Sequence, residues 1–361
     1  MKSYNHLWEK FISSENYYLG IGNATKHKGG KKSKYRLAQY FRNHADELKD
    51  DMLAYAVNFK NAEHTPKFIY DGIRRKKRQI YVPTMKEQII HHMIVNILQP
   101  IFMHGMYEHS YGSIPNRGGH LAKKRLERWI RNDRRNFKYI LKLDIQKYFD
   151  SIPHGILKAK LARLIHDDRF LSLMNEIVDV MPGDRGIPIG FYTSQWIANW
   201  YLQDFDHYIK EELRARYYVR YMDDMVIAGS NKRELHQMRE AIEVFLDNEL
   251  GLRLKDNWQV FRFDYKRKYR DLDFMGFRFF RDRTILRKSI MLKASRKARR
   301  IKKKGKNIYI VRQMLSYLGW INATDTYDWF KDYIKPFISF RSLRLYISRW
   351  DKMNKLEVSM V

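Results

Sequence analysis

Asp223 and Asp224 stand side by side between Tyr217-Tyr218-Val219-Arg220-Tyr221 and Met225-Val226-Ile227-Ala228. The β-branched and aromatic runs on either side read as two strands joined by a tight turn, with the acids at its tip. Aspartate is a poor strand former and neighbouring carboxylates repel each other. The pair is therefore costly unless a cation offsets its charge, and a hard divalent ion with oxygen ligands, such as Mg²⁺, suits it. A polar Asp-Asp turn on an ordinary antiparallel sheet is the plain alternative. A third acid, Asp144, ends the apolar run Tyr139-Ile140-Leu141-Lys142-Leu143. A strand-end acid facing the tip of a neighbouring hairpin brings three carboxylates to one place. Such a set can hold two ions about 3.5–4 Å apart, clamping the attacking and leaving oxygens of a phosphoryl transfer. Mutual repulsion raises the pKa of such acids, and bound metal keeps them ionised.

The rest of the chain must position these residues. It has 361 residues, with 70 Lys and Arg against 40 Asp and Glu, a net charge of +30. That length suits two or three subdomains, and that charge implies a polyanionic partner. At 44% hydrophobic residues this is not a disordered basic tail. The longest apolar stretch, Met93 to Met103, contains Asn96, Gln99 and Pro100 and is too short and polar to span a bilayer. No signal-peptide core opens the sequence, so a cytoplasmic protein without membrane contact is expected. Cysteine is absent and the histidines show no HExxH spacing, which excludes disulfides and the common zinc patterns.

Apolar spacing predicts a helix from about Lys34 to Asn58. Residues 68–83 read as a hairpin whose tip carries Arg74-Arg75-Lys76-Lys77-Arg78. Those cations repel unless phosphate lies among them, or they are simply a solvated charge run. Helices are predicted after Pro83 (Met85 to Ile101), over Leu121 to Arg131, and through residues 154–181. Ser194 is expected to cap a helix from Gln195 to about Leu213. Asn231 to Glu234 reads as a capping box whose helix stops at Gly251.

Tyr221-Met222-Asp223-Asp224 resembles the YxDD box of reverse transcriptases. Asp144 with Phe149 resembles their first catalytic motif, and Ile187 to Gln195 their third palm motif, in the family's order. The Gly190-x-x-x-Ser194-Gln195 form is similar to diversity-generating retroelement enzymes; retron, phage-defence and, more distantly, group II intron enzymes are also similar. The resemblance implies an α+β right-hand polymerase with an antiparallel-sheet palm, helical fingers and a small helical thumb. Its divisions would be 1–65 N-terminal helical extension, 66–138 fingers, 139–285 palm with a helical insertion at 151–185, and 286–361 thumb. It implies an RNA-directed DNA polymerase extending a 3′-hydroxyl with dNTPs on an RNA template, from a DNA or RNA primer. Asp144, Asp223 and Asp224 would hold two Mg²⁺ ions, with Mn²⁺ as a substitute.

On the same resemblance Lys77 and Arg78 reach the incoming triphosphate, and Arg74, Arg75 and Lys76 meet template. Arg117 replaces an arginine usual at the position of Ile114. Phe149 is the gate against a 2′-hydroxyl, and Gly190 and Gln195 lie at the nucleotide. Phe274, Met275 and Gly276 form the primer grip, and Arg299, Arg300 and Lys303 hold template–primer duplex. Lys255 lies where the family places a proton donor to pyrophosphate, although a surface lysine fits the local sequence equally well. A retroelement or antiviral setting, with a non-coding RNA and an accessory protein as partners, accompanies the resemblance. No nuclease pattern follows the thumb. The rival readings are an RNA-dependent RNA polymerase, which usually lacks the aromatic gate, and an RNA-binding scaffold with a vestigial palm.

Overall fold

The computed structural model describes residues 3–26, 32–59, 64, 66–71, 76–263 and 270–359. Among them the strands are β1 (Pro66–Asp71), β2 (Lys76–Tyr81), β3 (Tyr139–Asp144), β4 (Tyr217–Tyr221), β5 (Asp224–Gly229), β6 (Gln259–Arg262), β7 (Leu272–Phe274), β8 (Phe277–Phe279) and β9 (Thr284–Leu286). They form a β1-β2 ribbon, a sheet of order β4-β5-β3-β6 and a sheet of order β7-β8-β9. With helices over most of the remainder, this is the α+β composition expected. The chain divides into two compact units, Met1–Gly118 with Leu141–Val260, and Gly119–Ile140 with Phe261–Val361. These do not coincide with the fingers, palm and thumb boundaries.

In the first unit the long helix Met85–Met103 is set by its start. Thr84 Oγ1 accepts from the Glu87 amide, and Glu87 accepts from the Thr84 amide, a complete capping box. Helix Ser14–Thr25 packs against it at Gly20, where a Cβ would stand 2.5 Å from Met93 Cγ. The single helix predicted over 34–58 is instead two, Lys32–Asn43 and Lys49–Val57. The break has two causes. The Ala45 carbonyl accepts the buried Tyr17 hydroxyl at 2.8 Å, and Asp50 and Asp51 suit the first turn of a helix.

The insertion is also two helices, His154–Leu164 and Asp168–Val178, the second capped by Asp167 through the Phe170 amide. The helix predicted from Gln195 begins earlier, at Tyr192, and ends at Tyr201. Ser194 is therefore not its cap but lies buried inside it. Gly190, at φ 118°, turns the chain into the helix three residues sooner than the Ser signal suggests. Helix Lys232–Leu250 starts and stops as read, with the Asn231 side chain accepting from the Arg233 amide and Gly251 closing it in the left-handed region; the capping box does not form, since Glu234 accepts from the Asn231 side-chain amide at 3.0 Å rather than from its backbone.

The second unit contains helix Gly119–Asn132, the β7-β8-β9 sheet and four C-terminal helices, Lys288–Lys304, Ile308–Asn322, Tyr327–Tyr333 and Phe340–Ser359. Ala294, Ala298, Ile301, Val311, Met314, Ile334 and Leu343 form the core of those helices. The basic run thus keeps its small and apolar residues inside and its cations outside. No helix among the described residues is long and apolar enough to cross a membrane.

Candidate active site

The site begins as a packing problem. Ile140, Leu141 and Leu143 of β3 are buried, as are Tyr218 and Val219 of β4 and Met225, Val226 and Ile227 of β5. The acids Asp144 and Asp224 stand at the ends of these strands. Tyr221 pairs with Asp224, so Met222 and Asp223 form a two-residue turn. Asp223 is the tip residue, and Asp224 opens β5. Met222 sits at φ 55°, a conformation costing a residue with a Cβ about 1 kcal/mol or more.

A buried staple offsets that cost. Arg220 and Asp206 are fully buried; Arg220 Nε reaches Asp206 Oδ1 at 2.7 Å and Nη2 reaches Oδ2 at 2.5 Å. Arg220 Nη1 then donates to the Met222 carbonyl at 3.1 Å. Asn199 Nδ2 donates to the Met222 sulfur at 3.3 Å and to the Gly112 carbonyl at 2.8 Å. A Cβ on Gly112 would lie 2.5 Å from Met222 Cγ. The Ser110-Tyr111-Gly112 segment is tied to the same strand, the Tyr111 amide donating to the Arg220 carbonyl at 2.9 Å. Sequence reasoning missed Arg220, Asp206 and Asn199. The available signal was a cation at an inward-reading position of an aromatic strand.

The acids meet unevenly. The Ile145 amide donates to the Asp223 carbonyl at 3.3 Å, bringing Asp144 to the turn. Burial, and then the neighbouring Asp144 charge, push the Asp223 carboxyl up to about 6, with Lys255 working in the opposite direction. Lys255 Nζ lies 2.5 Å from Asp144 Oδ1, and Lys142 Nζ lies 3.7 Å from Asp224 Oδ1. Asp144 and Asp223 are thus brought together, while Asp224, one residue on, faces Lys142. Among the described residues no three Asp, Glu, His or Cys side chains are drawn close enough to hold a metal ion as they stand. The expected meeting of three acids is met by two of them. The physical reason is visible: lysines neutralise the outer carboxylates of the protein alone. The donors still fit Mg²⁺, being hard oxygens around a charge repulsion that a divalent cation relieves.

The other expected site residues fall in several places. Phe149 is half-buried in the short helix Tyr148–Ser151, its carbonyl accepting the Ile187 amide at 2.8 Å. Gly190 allows the close approach expected of it, but the neighbour is protein: a Cβ there would lie 2.0 Å from the Tyr81 carbonyl oxygen. Gln195 lines a cavity with Pro83, Gln88, His91, His92, Gly190 and Tyr192. Arg117 Nη1 donates to the Tyr107 and Ser110 carbonyls at 2.6 and 3.2 Å, so it braces its own loop, and Ile114 is core.

Lys77 and Arg78 are consecutive in β2, so their side chains leave opposite faces of the ribbon. Arg74 and Arg75 lie outside the described residues, and Lys76 opens β2. In the second unit, Phe274 is buried and Met275 and Gly276 form a turn at φ 52° and 86°. The space at Gly276 is taken by Ile290 and Trp320, 2.7 and 3.1 Å from where a Cβ would be. Arg299, Arg300 and Lys303 are exposed.

These features have known counterparts. The family described as reverse transcriptase (RNA-dependent DNA polymerase) matches residues 63–279, more than half of the chain. YkfC of Escherichia coli K12 is 24% identical over 220 residues, covering 50% of this chain and 58% of its own length. The retron Ec73 reverse transcriptase of Escherichia coli is 26% identical over 213 residues, covering 53% of this chain and 62% of its own. The chain therefore spans about 60% of the length of these relatives. A telomerase structure from Candida albicans covers 80% of this chain and 61% of its own at 13% identity and a TM-score of 0.46, a likeness too distant to bear on function. With its acids at the matched strand ends and the family pattern running across both hairpins, the chain belongs to the reverse transcriptase (RNA-dependent DNA polymerase) family.

Proposed function

We propose that this chain is an RNA-directed DNA polymerase that extends a primer 3′-hydroxyl with dNTPs. The observation that carries the reading is the Asp144–Asp223 pair, held together by the β3 end and the β4–β5 turn, with Asp223 raised to about 6. Asp144, Asp223 and Asp224 would hold two Mg²⁺ ions, or Mn²⁺ in their place. When bound, such ions acidify a hydroxyl nucleophile and neutralise charge on departing pyrophosphate.

Asp224 joins this set by leaving Lys142, and Lys255 stays beside Asp144. Phe149 closes the space that a 2′-hydroxyl would occupy. Arg299, Arg300 and Lys303 grip backbone phosphates, so duplex affinity falls steeply with salt. The substrates are an RNA template, a DNA or RNA primer and dNTPs, and the setting is a cytoplasmic retroelement or antiviral system with a non-coding RNA and an accessory protein.

The test is primer extension on an RNA template with Mg²⁺, comparing dNTPs with rNTPs. Extension with dNTPs that is lost in Asp223→Asn supports the reading, and extension with rNTPs alone overturns it. Phe149→Ala should admit rNTPs, with discrimination falling about 10- to 100-fold; unchanged discrimination removes Phe149 from that role.

The lysine pairing of Asp144 and Asp224 favours a second reading, a palm retained as an RNA-binding scaffold. Intact biological activity in Asp223→Asn would select it.

A further inference from the structure

Phe149 stands on a helix of one turn, Tyr148–Ser151, opened by Lys147 in the left-handed region and without a side-chain cap. So short a helix has almost no stability of its own, and its place is set by what it is bonded to. The partner is the stretch 184–187, which lies outside every helix and strand. The Ile187 amide donates to the Phe149 carbonyl and the Gly186 amide to the Ile152 carbonyl, both at 2.8 Å. A Cβ at Gly186 would stand 3.4 Å from the Asp150 carbonyl oxygen, so the stretch lies directly against the turn that bears Phe149.

One residue holds that stretch at two points. His154 opens the helix His154–Leu164, whose N-cap Pro153 supplies no side-chain bond. The His154 amide donates to the Asp184 carbonyl at 2.8 Å, and its ring Nε2 lies 2.7 Å from the Gly186 carbonyl oxygen. A carbonyl only accepts, so Nε2 carries the hydrogen. The residue is 6% exposed. Its other ring nitrogen faces Asp179 at 3.6 Å, a carboxylate that Lys158 holds at 2.6 and 2.7 Å. A second side-chain tie, Arg185 Nη1 to the Ser151 and Gly251 carbonyls, lies at the surface.

We propose that His154 is a positioning residue for sugar selection: its ring fixes Gly186, and the stretch from Gly186 to Ile187 fixes where the Phe149 ring stands. The inference rests on the reading of Phe149 as the residue that closes the space of a 2′-hydroxyl, and it adds a determinant that never touches the nucleotide. A buried carbonyl that loses its donor is costly, and a stretch without helix or sheet bonding relieves that cost by shifting. Misplacement on the order of 1 Å is enough to change a rate by up to about 100-fold.

The experiment measures kcat/KM for dNTP and for rNTP incorporation by the full chain in primer extension. The ratio of the two does not depend on the fraction of enzyme that is folded. His154→Leu should lower that ratio by about 3- to 30-fold through a higher kcat/KM for rNTPs. His154→Gln, whose side-chain amide can donate in place of Nε2, should restore it. Leu161→Ala, which hollows the core of the same helix and keeps the ring, should leave the ratio unchanged. Because His154 acts through Phe149, Phe149→Ala/His154→Leu should discriminate no worse than Phe149→Ala alone.

An unchanged ratio in His154→Leu, no rescue in His154→Gln, an equal loss in Leu161→Ala, or losses that multiply in the double variant overturns the assignment of His154. If Phe149→Ala lowers the ratio and His154→Leu does not, this inference alone fails. If Phe149→Ala leaves the ratio unchanged, the reading of Phe149 fails and takes this inference with it.

Discussion

The first unit contains two antiparallel ribbons of similar size, and they have opposite surroundings. The β4–β5 hairpin is buried along both strands and stapled from beneath by Arg220, Asp206 and Asn199. The β1-β2 ribbon has exposed side chains on both faces, and the Tyr81 amide holds its root to the Ile189 carbonyl. The same local pattern thus does two jobs. Burial fixes where a carboxylate sits, and exposure leaves rings and cations at the surface. The difference is set by neighbours distant in sequence, not by the strands themselves.

The largest test of this contrast is activity. Asp144→Asn should reduce primer extension by at least about a thousandfold, the scale expected when charge stabilisation of the transition state is lost. A residual rate near wild type would mean that the buried hairpin does no chemistry. Next, Arg220→Ala leaves the Asp206 charge buried without its counter-charge, held by the Tyr218 hydroxyl at 2.7 Å, and should cost about 3–5 kcal/mol of stability. Asp206→Asn/Arg220→Met, which removes both charges, should recover much of it in denaturant unfolding. Equal losses in the two variants would break the claim that an unpaired charge is the cause.

A smaller effect follows from Asp223. Its folded pKa, about 6, is above the ordinary unfolded value, so the folded state binds the proton more tightly. The associated stability is fully present below the unfolded pKa and is lost as pH rises through about 6. Asp223→Asn, which mimics the protonated form, should therefore be more stable than wild type at pH 8 by about 1–3 kcal/mol without divalent metal, and no different near pH 4. A pH-independent difference in unfolding free energy would refute the assignment. The smallest expected effect sharpens the other side of the comparison: Phe68→Ala/Tyr70→Ala should change stability by no more than about 0.5 kcal/mol. A larger loss would show that the ribbon's rings are packed rather than presented.

What the sequence disclosed was local. Asp144 at a strand end, Asp223 in a turn, the Asn231 cap and the Gly251 stop are all written in neighbouring residues, and the structure has them where they were read. The misreadings came from distant partners. Ser194 looks like a cap, but the chain turns earlier because Gly190 packs on Tyr81, more than a hundred residues away in sequence. The helix predicted over 34–58 breaks because Tyr17 takes the Ala45 carbonyl. Arg220 is an ordinary strand residue until Asp206 faces it across a fully buried gap. Lysine contacts at Asp144 and Asp224 were equally hidden, since neither Lys255 nor Lys142 announces which carboxylate it will meet.

Gly190 has one more consequence. It clamps the base of the exposed ribbon to the start of helix Tyr192–Tyr201, and Asn199, near that helix's far end, holds Met222. Ten helical residues make a rod about 15 Å long. The root of the ribbon at Tyr81 and the turn that carries Asp223 are therefore braced by the two ends of one short rod, which fixes the spacing between an outer strand and an inner acid.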